Sequence, residues 1–208
     1  MRIIIVGPPG SGKTTFGKML SEHFKIDFIS TGNLLREKAK EDEKLREIIE
    51  SGKLVDAETV NKIVKEALKD KKSFVLEGFP RKIEESEFLL KEIQFDLILY
   101  LDVDKEVIIE RLKNRYFCPK CFRVYNLLTQ KPKIDLICDY CNVKLEQREE
   151  DKEEKIKIRF EEFEKETLPS LQYLKEKVPE KFVEVKLIHN DIKKDFEEIL
   201  AALSFFKP

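Results

Sequence analysis

The sequence predicts an α/β protein: a doubly wound parallel five-stranded sheet with helices on both faces, a helical insertion and a small cysteine ribbon. Three observations carry this. Four stretches, RIIIVG, SFVLEGF, DLILYLDV and KFVEVKLI, are short, β-rich and near-continuously apolar, with IDFIS a weaker fifth, as expected of strands covered on both faces. Helical periodicity separates them, and strands alternating with helices imply parallel pairing through right-handed crossovers. Two long segments, 31–55 and 116–147, interrupt that alternation. Segments of such length in a compact fold commonly bind or cover a ligand.

In chain order, RIIIV runs into GPPGSGKTT, which fits G-x4-G-K-[ST] with Gly7 directly after a strand and Gly12, Lys13 and Thr14 opening a helix. Glycines permit a turn whose N–H groups cradle phosphate oxygens, the helix N-terminus adds positive potential, and Lys13 supplies a mobile charge to the β- and γ-phosphates. Gly10, Ser11, Gly12, Lys13, Thr14 and Thr15 are therefore expected to hold a nucleoside triphosphate. A hydroxyl from Thr14 or Thr15 would reach its Mg²⁺. After IDFIS comes the polar, helical stretch 31–55. Val60, Ile63, Val64, Ala67 and Leu68 then share one helix face, as do Ile192, Phe196, Ile199, Leu200 and Leu203. Asp56, Asp104 and Asn190 stand where N-caps belong.

Cys118, Cys121, Cys138 and Cys141 spell C-x2-C-x16-C-x2-C, the spacing of a tetrahedral zinc site whose four thiolates leave no open position. The metal is expected to be structural: about thirty residues bury too little apolar surface to hold a shape alone. Phe117, Phe122, Val124, Tyr125, Leu127 and Leu128 are expected to pack around it. The chain's 208 residues predict one main domain, and 40 basic against 41 acidic groups leave a net charge of −1. That balance argues against broad nucleic-acid binding. Only four apolar residues, Ile3 to Val6, follow Met1-Arg2, and no run approaches a membrane span; a soluble cytoplasmic protein is expected. His23 and His189 read as surface or packing residues rather than acid–base catalysts.

STGNLLR (Ser30 to Arg36), GKLV (Gly52 to Val55), EGFPR (Glu77 to Arg81), ERLKNR (Glu110 to Arg115) and QREED with IKIRF (Gln147 to Phe160) fall in an order and spacing that resembles adenylate kinase. The likeness spans essentially the whole chain, and the cysteine ribbon is similar to the zinc-bearing long lid of that family's bacterial members. It implies reversible, Mg²⁺-dependent phosphoryl transfer from ATP to AMP giving two ADP, by a monomer that binds neither nucleic acid nor membrane. It also implies a core with the phosphate loop (1–29), an NMP-binding segment (30–55), core (56–115), zinc-binding lid (116–147) and core (148–208).

By the same resemblance, Lys13, Arg81, Arg115, Arg148 and Arg159 are the catalytic set, with Arg148 on the margin of the lid. Arg111 lies near the donor base and, with Arg115, joins the ATP site. Thr31, Arg36, Lys53, Leu54, Val55, Gly78, Arg81, Glu85, Arg148 and Arg159 bind AMP. Glu77 touches the Mg²⁺ hydration shell together with Thr14, and the Phe79–Pro80 bond is cis. Such chemistry suits this sequence, because an acceptor phosphate is already ionised and needs no general base, whereas positive charge around the transferring group is indispensable.

Departures from the family pattern are Thr14 for Gly, Asn33 and Glu77 for Asp, and the lack of glycine near Ile188 and His189. The most consequential is Glu85, where adenylate kinases present Gln to adenine. A carboxylate offers acceptors only, so AMP preference with relaxed selectivity is expected. A kinase preferring GMP or a pyrimidine monophosphate is the alternative. A zinc-ribbon nucleic-acid-binding ATPase, using Lys120, Arg123, Lys131, Lys133 and Lys144, is a remoter one.

Overall fold

A computed structural model describes residues 1–189 and 191–204. The chain runs β1 (Arg2–Val6), α1 (Lys13–Phe24), β2 (Asp27–Ser30), α2 (Thr31–Lys38), α3 (Glu43–Glu50), α4 (Ala57–Leu68), β3 (Phe74–Glu77), α5 (Ile83–Glu92), β4 (Leu97–Asp102) and α6 (Lys105–Lys113). The hairpin β5 (Arg115–Phe117) and β6 (Val124–Asn126) follows, then α7 (Glu153–Glu162), a π-helical turn (Phe163–Thr167), α8 (Leu168–Lys177), β7 (Phe182–Lys186) and α9 (Ile192–Leu203). The main sheet has the order β2-β3-β1-β4-β7, all parallel, so all five expected strands form.

Why those strands are continuously apolar is visible in the packing. Successive residues point to opposite faces, and both faces are covered. Ile4, Val6, Leu76 and Ile98 pack with Leu35, Val60, Val64, Leu89, Leu171 and Leu174 from α2, α4, α5 and α8. Ile3, Ile5, Val75, Leu97 and Leu99 pack with Phe16, Leu20, Ile108, Leu112, Phe160, Ile199 and Leu203 from α1, α6, α7 and α9. Each fully buried Ile or Leu contributes about 1.5–3 kcal/mol relative to exposure. The periodic faces of α4 and α9 are the ones that meet these clusters.

Asp56 and Asp104 both occupy the N-cap positions expected of them. Asp56 accepts from the Thr59 N–H at 2.8 Å, as expected. Asp104 occupies the N-cap of α6 without a side-chain cap bond; its exposed carboxylate instead faces Lys186 of β7 at 3.5 Å, a neighbour that only the folded sheet supplies. The cap of α9 is Asp191, which accepts from the Lys193 and Lys194 N–H groups at 2.9 and 3.2 Å; Asn190 lies outside the described residues. Among the described residues, no helix is long and apolar enough to cross a membrane.

The ribbon's packing also differs. Tyr125 does pack on the cysteines, but its companions are Tyr116, Val143 and Leu145. Tyr116 pairs with Tyr125 and Phe117 with Val124 across the hairpin, so strand alternation sends the second pair to the other face. Phe117 lies beneath the Arg148 guanidinium, 5.4 Å away, and Phe122 beneath Lys40 at 5.3 Å. Leu127 is outside the cluster, and Leu128 is 53% exposed.

Candidate functional site

The carboxyl ends of β1 and β3 open into one large pocket, where ligands of open α/β sheets gather. Gly7 leaves β1 so close to β4 that a Cβ there would lie 2.7 Å from the Leu101 carbonyl oxygen, and Gly12 opens α1 at φ 92°. The loop between them wraps Lys13, whose Nζ donates to the Gly7 and Pro8 carbonyls at 2.8 and 2.6 Å and lies 3.4 Å from Ser11 Oγ. Burial pulls its ammonium down to about 7, against the opposing charge of Glu77. Gly10, Gly12, Lys13, Thr14 and Thr15 line the pocket. Ser11 is fully buried within the loop, its N–H donating to the Pro8 carbonyl at 3.2 Å.

Five arginines converge on this pocket: Arg36 from α2, Arg81 from the turn after β3, Arg115 from β5, Arg148 from the end of the ribbon, and Arg159 from α7. Two adjacent acidic residues hold three of them. Asp151 accepts from Arg115 Nε at 2.7 Å and also from Arg115 Nη2 and Arg159 Nη1, while Glu150 receives Arg36 at 3.4 Å and its carbonyl receives Arg159 at 3.3 Å. Burial raises the Asp151 carboxyl, but Arg115 and Arg159 outweigh it and hold the group below its usual range. Arg81 Nε donates to the Gly78 carbonyl at 2.9 Å, and Arg36 Nη2 to Asn33 Oδ1 at 2.9 Å.

Arg148 is different. It is 8% exposed, and neither its Nε nor its Nη2 meets an acceptor among the described residues. Burial, then the like charges of Arg36 and Arg115, disfavour its cation strongly. The buried Thr31 Oγ1 and Arg36 Nε are likewise unpartnered among the described residues. A buried guanidinium without an acceptor is costly. An anion with several oxygens would satisfy it.

The remaining expected residues also line the pocket. Lys53, Leu54, Val55, Gly78 and Glu85 are among them, as are the apolar Leu35, Ile49 and Val60. Arg111 is another, 3.6 Å from Asp195. Glu77 is buried at the end of β3, accepting from Ser30 Oγ, with Lys13 the leading counter to the desolvation of its carboxyl. Glu85 Oε2 accepts from the Arg81 N–H at 2.7 Å, and burial pushes this carboxyl up to about 7. The Phe79–Pro80 bond is cis. His23 and His189 are exposed and do not line the pocket.

Sequence reasoning gave no role to Glu150, Asp151 or Glu162, or to the ribbon residues Asn126, Thr129 and Gln130, all of which line the pocket or hold its arginines. Two adjacent acids flanked by Arg148 and Arg159 were the available signal for the first two.

Outside the pocket, the four cysteine sulfurs lie within 4.8 Å of one another and no disulfide joins them. Tyr125 donates its hydroxyl to Cys138 Sγ at 3.5 Å and accepts from the Asp139 N–H at 3.0 Å. Four convergent thiols fit a tetrahedral thiophilic ion.

Comparison with known proteins gives a consistent result. The family profile described as adenylate kinase matches residues 5–179. The chain is 41% identical over 182 residues to a protein of Petrotoga mobilis named adenylate kinase, covering 83% of this chain and 85% of that one. It is 41% identical over 188 residues to a Thermotoga maritima protein of the same name (84% and 86% covered). A Ureaplasma urealyticum protein, also so named, is 39% identical over 184 residues (84% and 86%).

Proposed function

The chain belongs to the adenylate kinase family, and we infer from its pocket how these particular residues perform that family's reaction. The protein is a phosphotransferase with a phosphate acceptor: the terminal phosphoryl group of ATP passes reversibly to AMP, giving two ADP.

The donor phosphates rest on the loop from Gly10 to Thr15, with Lys13 at the β–γ end and the donor base beside Arg111. The acceptor phosphate lies against Arg36 and Arg81, and its nucleoside runs along Thr31, Lys53, Leu54, Val55, Gly78 and Glu85. Between the two, Arg115, Arg148 and Arg159 face the group in transit. The observation that carries this assignment is Arg148, buried with two nitrogens that meet no acceptor among the described residues, because a bound anion would complete its bonding. Planar guanidinium forks take phosphate oxygens bidentately and keep their charge. The attacking phosphate oxygen is already ionised, so the chain supplies charge and alignment rather than a base.

Glu77 and the Thr14 hydroxyl offer the oxygen donors a hard cation prefers, and both line the pocket. Mg²⁺ held there with ATP would neutralise phosphate charge. Zn²⁺ on Cys118, Cys121, Cys138 and Cys141 would fix the ribbon's shape and contribute nothing to the chemistry. Segment 116–147 acts as a lid over the donor, segment 30–55 as the acceptor arm, and the protein works as a cytoplasmic monomer. The lid excludes water that would otherwise hydrolyse ATP.

A coupled assay of ADP formation from ATP with AMP, GMP, CMP or UMP tests the reading. AMP should turn over fastest. GMP or a pyrimidine nucleotide exceeding it would transfer the assignment to another monophosphate.

A further inference from the structure

Leu35, Ile49, Val55 and Val60 line the same pocket as Glu85, which is 2% exposed. An apolar slot suits a planar base, and a buried polar group in it governs which base edge is tolerated. Oε2 is engaged by the Arg81 N–H, yet each carboxyl oxygen has two lone pairs, so capacity toward the pocket remains. We propose that Glu85 reads the acceptor base and that its protonation state sets the purine taken. Neutral, it offers a hydroxyl donor beside an oxygen acceptor and pairs with the N1 and N6 edge of adenine. Ionised, it offers acceptors alone and pairs with the N1–H and N2–H₂ donors of guanine.

This rests on the acceptor-slot reading above and deepens it. The carboxyl is poised for such a switch because burial raises it to about 7, while the Arg81 N–H, the Arg81 charge and Lys82 pull the other way. Other charged groups near the slot are Arg36 of α2, Lys53 of the segment after α3, and Glu162 of α7, which is tied to the Leu54 N–H at 3.2 Å. Asp56, capping α4, feels Lys82 in turn. α8 and the turn before it face this region with Thr167, which lines the pocket, and Ser170, bonded to the Lys82 carbonyl at 3.0 Å; neither ionises. Glu85 also stands three residues after the N-cap of α5, where an acidic side chain often caps. A capping role alone predicts no base preference.

The test is the ratio of kcat/KM for AMP to that for GMP, with saturating ATP, from about pH 6 to about pH 8.5, in wild type and Glu85→Gln. Phosphate ionisation is shared by both substrates and cancels in the ratio. In wild type the ratio should fall about tenfold or more, tracking the neutral fraction of a group titrating near 7. In the variant, whose amide keeps one donor and one acceptor at every pH, the ratio should be high and flat. Equilibrium binding of AMP and GMP without ATP supplies the same ratio free of turnover, and the wild-type profile needs no variant to fold. AMP turnover with a flat wild-type ratio, or with the same slope in Glu85→Gln, overturns the inference and leaves the kinase reading intact. Absence of AMP turnover overturns both.

Discussion

Asp151 grips Arg115 through both of its carboxylate oxygens, one of them shared with Arg159. Its side chain is 1% exposed and that of Arg115 14%. Removing one partner of such a buried pair leaves an uncompensated charge, so Asp151→Ala should destabilise the nucleotide-free protein by about 3–5 kcal/mol near neutral pH. Urea unfolding measures this. The folded carboxyl titrates below its usual value, so the contribution is full above an unfolded pKa of about 4 and fades as pH falls through the lower folded value. The gap between wild type and variant should therefore close only in strong acid.

Arg148→Met separates function from stability in the opposite sense. With two nitrogens unpartnered among the described residues and like-charged neighbours, Arg148 burdens the empty fold. Its replacement should leave Tm unchanged or raise it, while kcat falls by about 10²–10³-fold, the loss typical of one charge-stabilising donor. A parallel loss of Tm would contradict this account.

Proton uptake should accompany ATP binding. Burial holds Lys13 at about 7 in the empty protein, so at about pH 8 it is mostly neutral, and bound phosphates restore the charged form. Calorimetric titration in buffers of different ionisation enthalpy should register uptake that shrinks toward about pH 6. Lys13→Met should abolish it.

Metal removal addresses the ribbon. Cys138→Ser, or a strong chelator, should lower Tm by about 5 °C or more, as expected when a local metal-built unit is lost, with a much smaller effect on turnover at moderate temperature. Equal losses of both would assign the metal a direct part in catalysis.

Lys40, just past α2, stands over the Phe122 ring of the ribbon at 5.3 Å and does not line the pocket. An exposed cation–π contact contributes about 0.5–1 kcal/mol. Lys40→Ala should shift the population in which segment 30–55 meets the ribbon by roughly two- to fivefold, read from energy transfer between dyes on that segment and the ribbon under saturating nucleotides.

Legibility followed the range of the interaction concerned. The phosphate loop was readable because its conformation is built from neighbours in sequence, and the loop does hold Lys13 as the motif requires. That Ser11 is fully buried was not, because burial depends on what packs against the loop. Asp56 capped its helix as expected, whereas Asp104, under the same local rule, met Lys186 instead, a residue from the last strand of the sheet. The ribbon's cysteines were evident from spacing, but which aromatics pack on them depended on hairpin register, which places Tyr116 and Tyr125 on one face and Phe117 and Val124 on the other.

By itself, the sequence determined the five strands, the phosphate loop and the four-thiol ribbon, since periodicity, turn chemistry and ligand spacing act over a few residues. Only the tertiary structure decided that Asp151 binds Arg115 and Arg159, that two Arg148 nitrogens meet no acceptor among the described residues, and that Glu85 is buried enough to titrate near neutrality. Charge pairing and desolvation depend on which distant segments share a volume, and the fold alone brings those segments together.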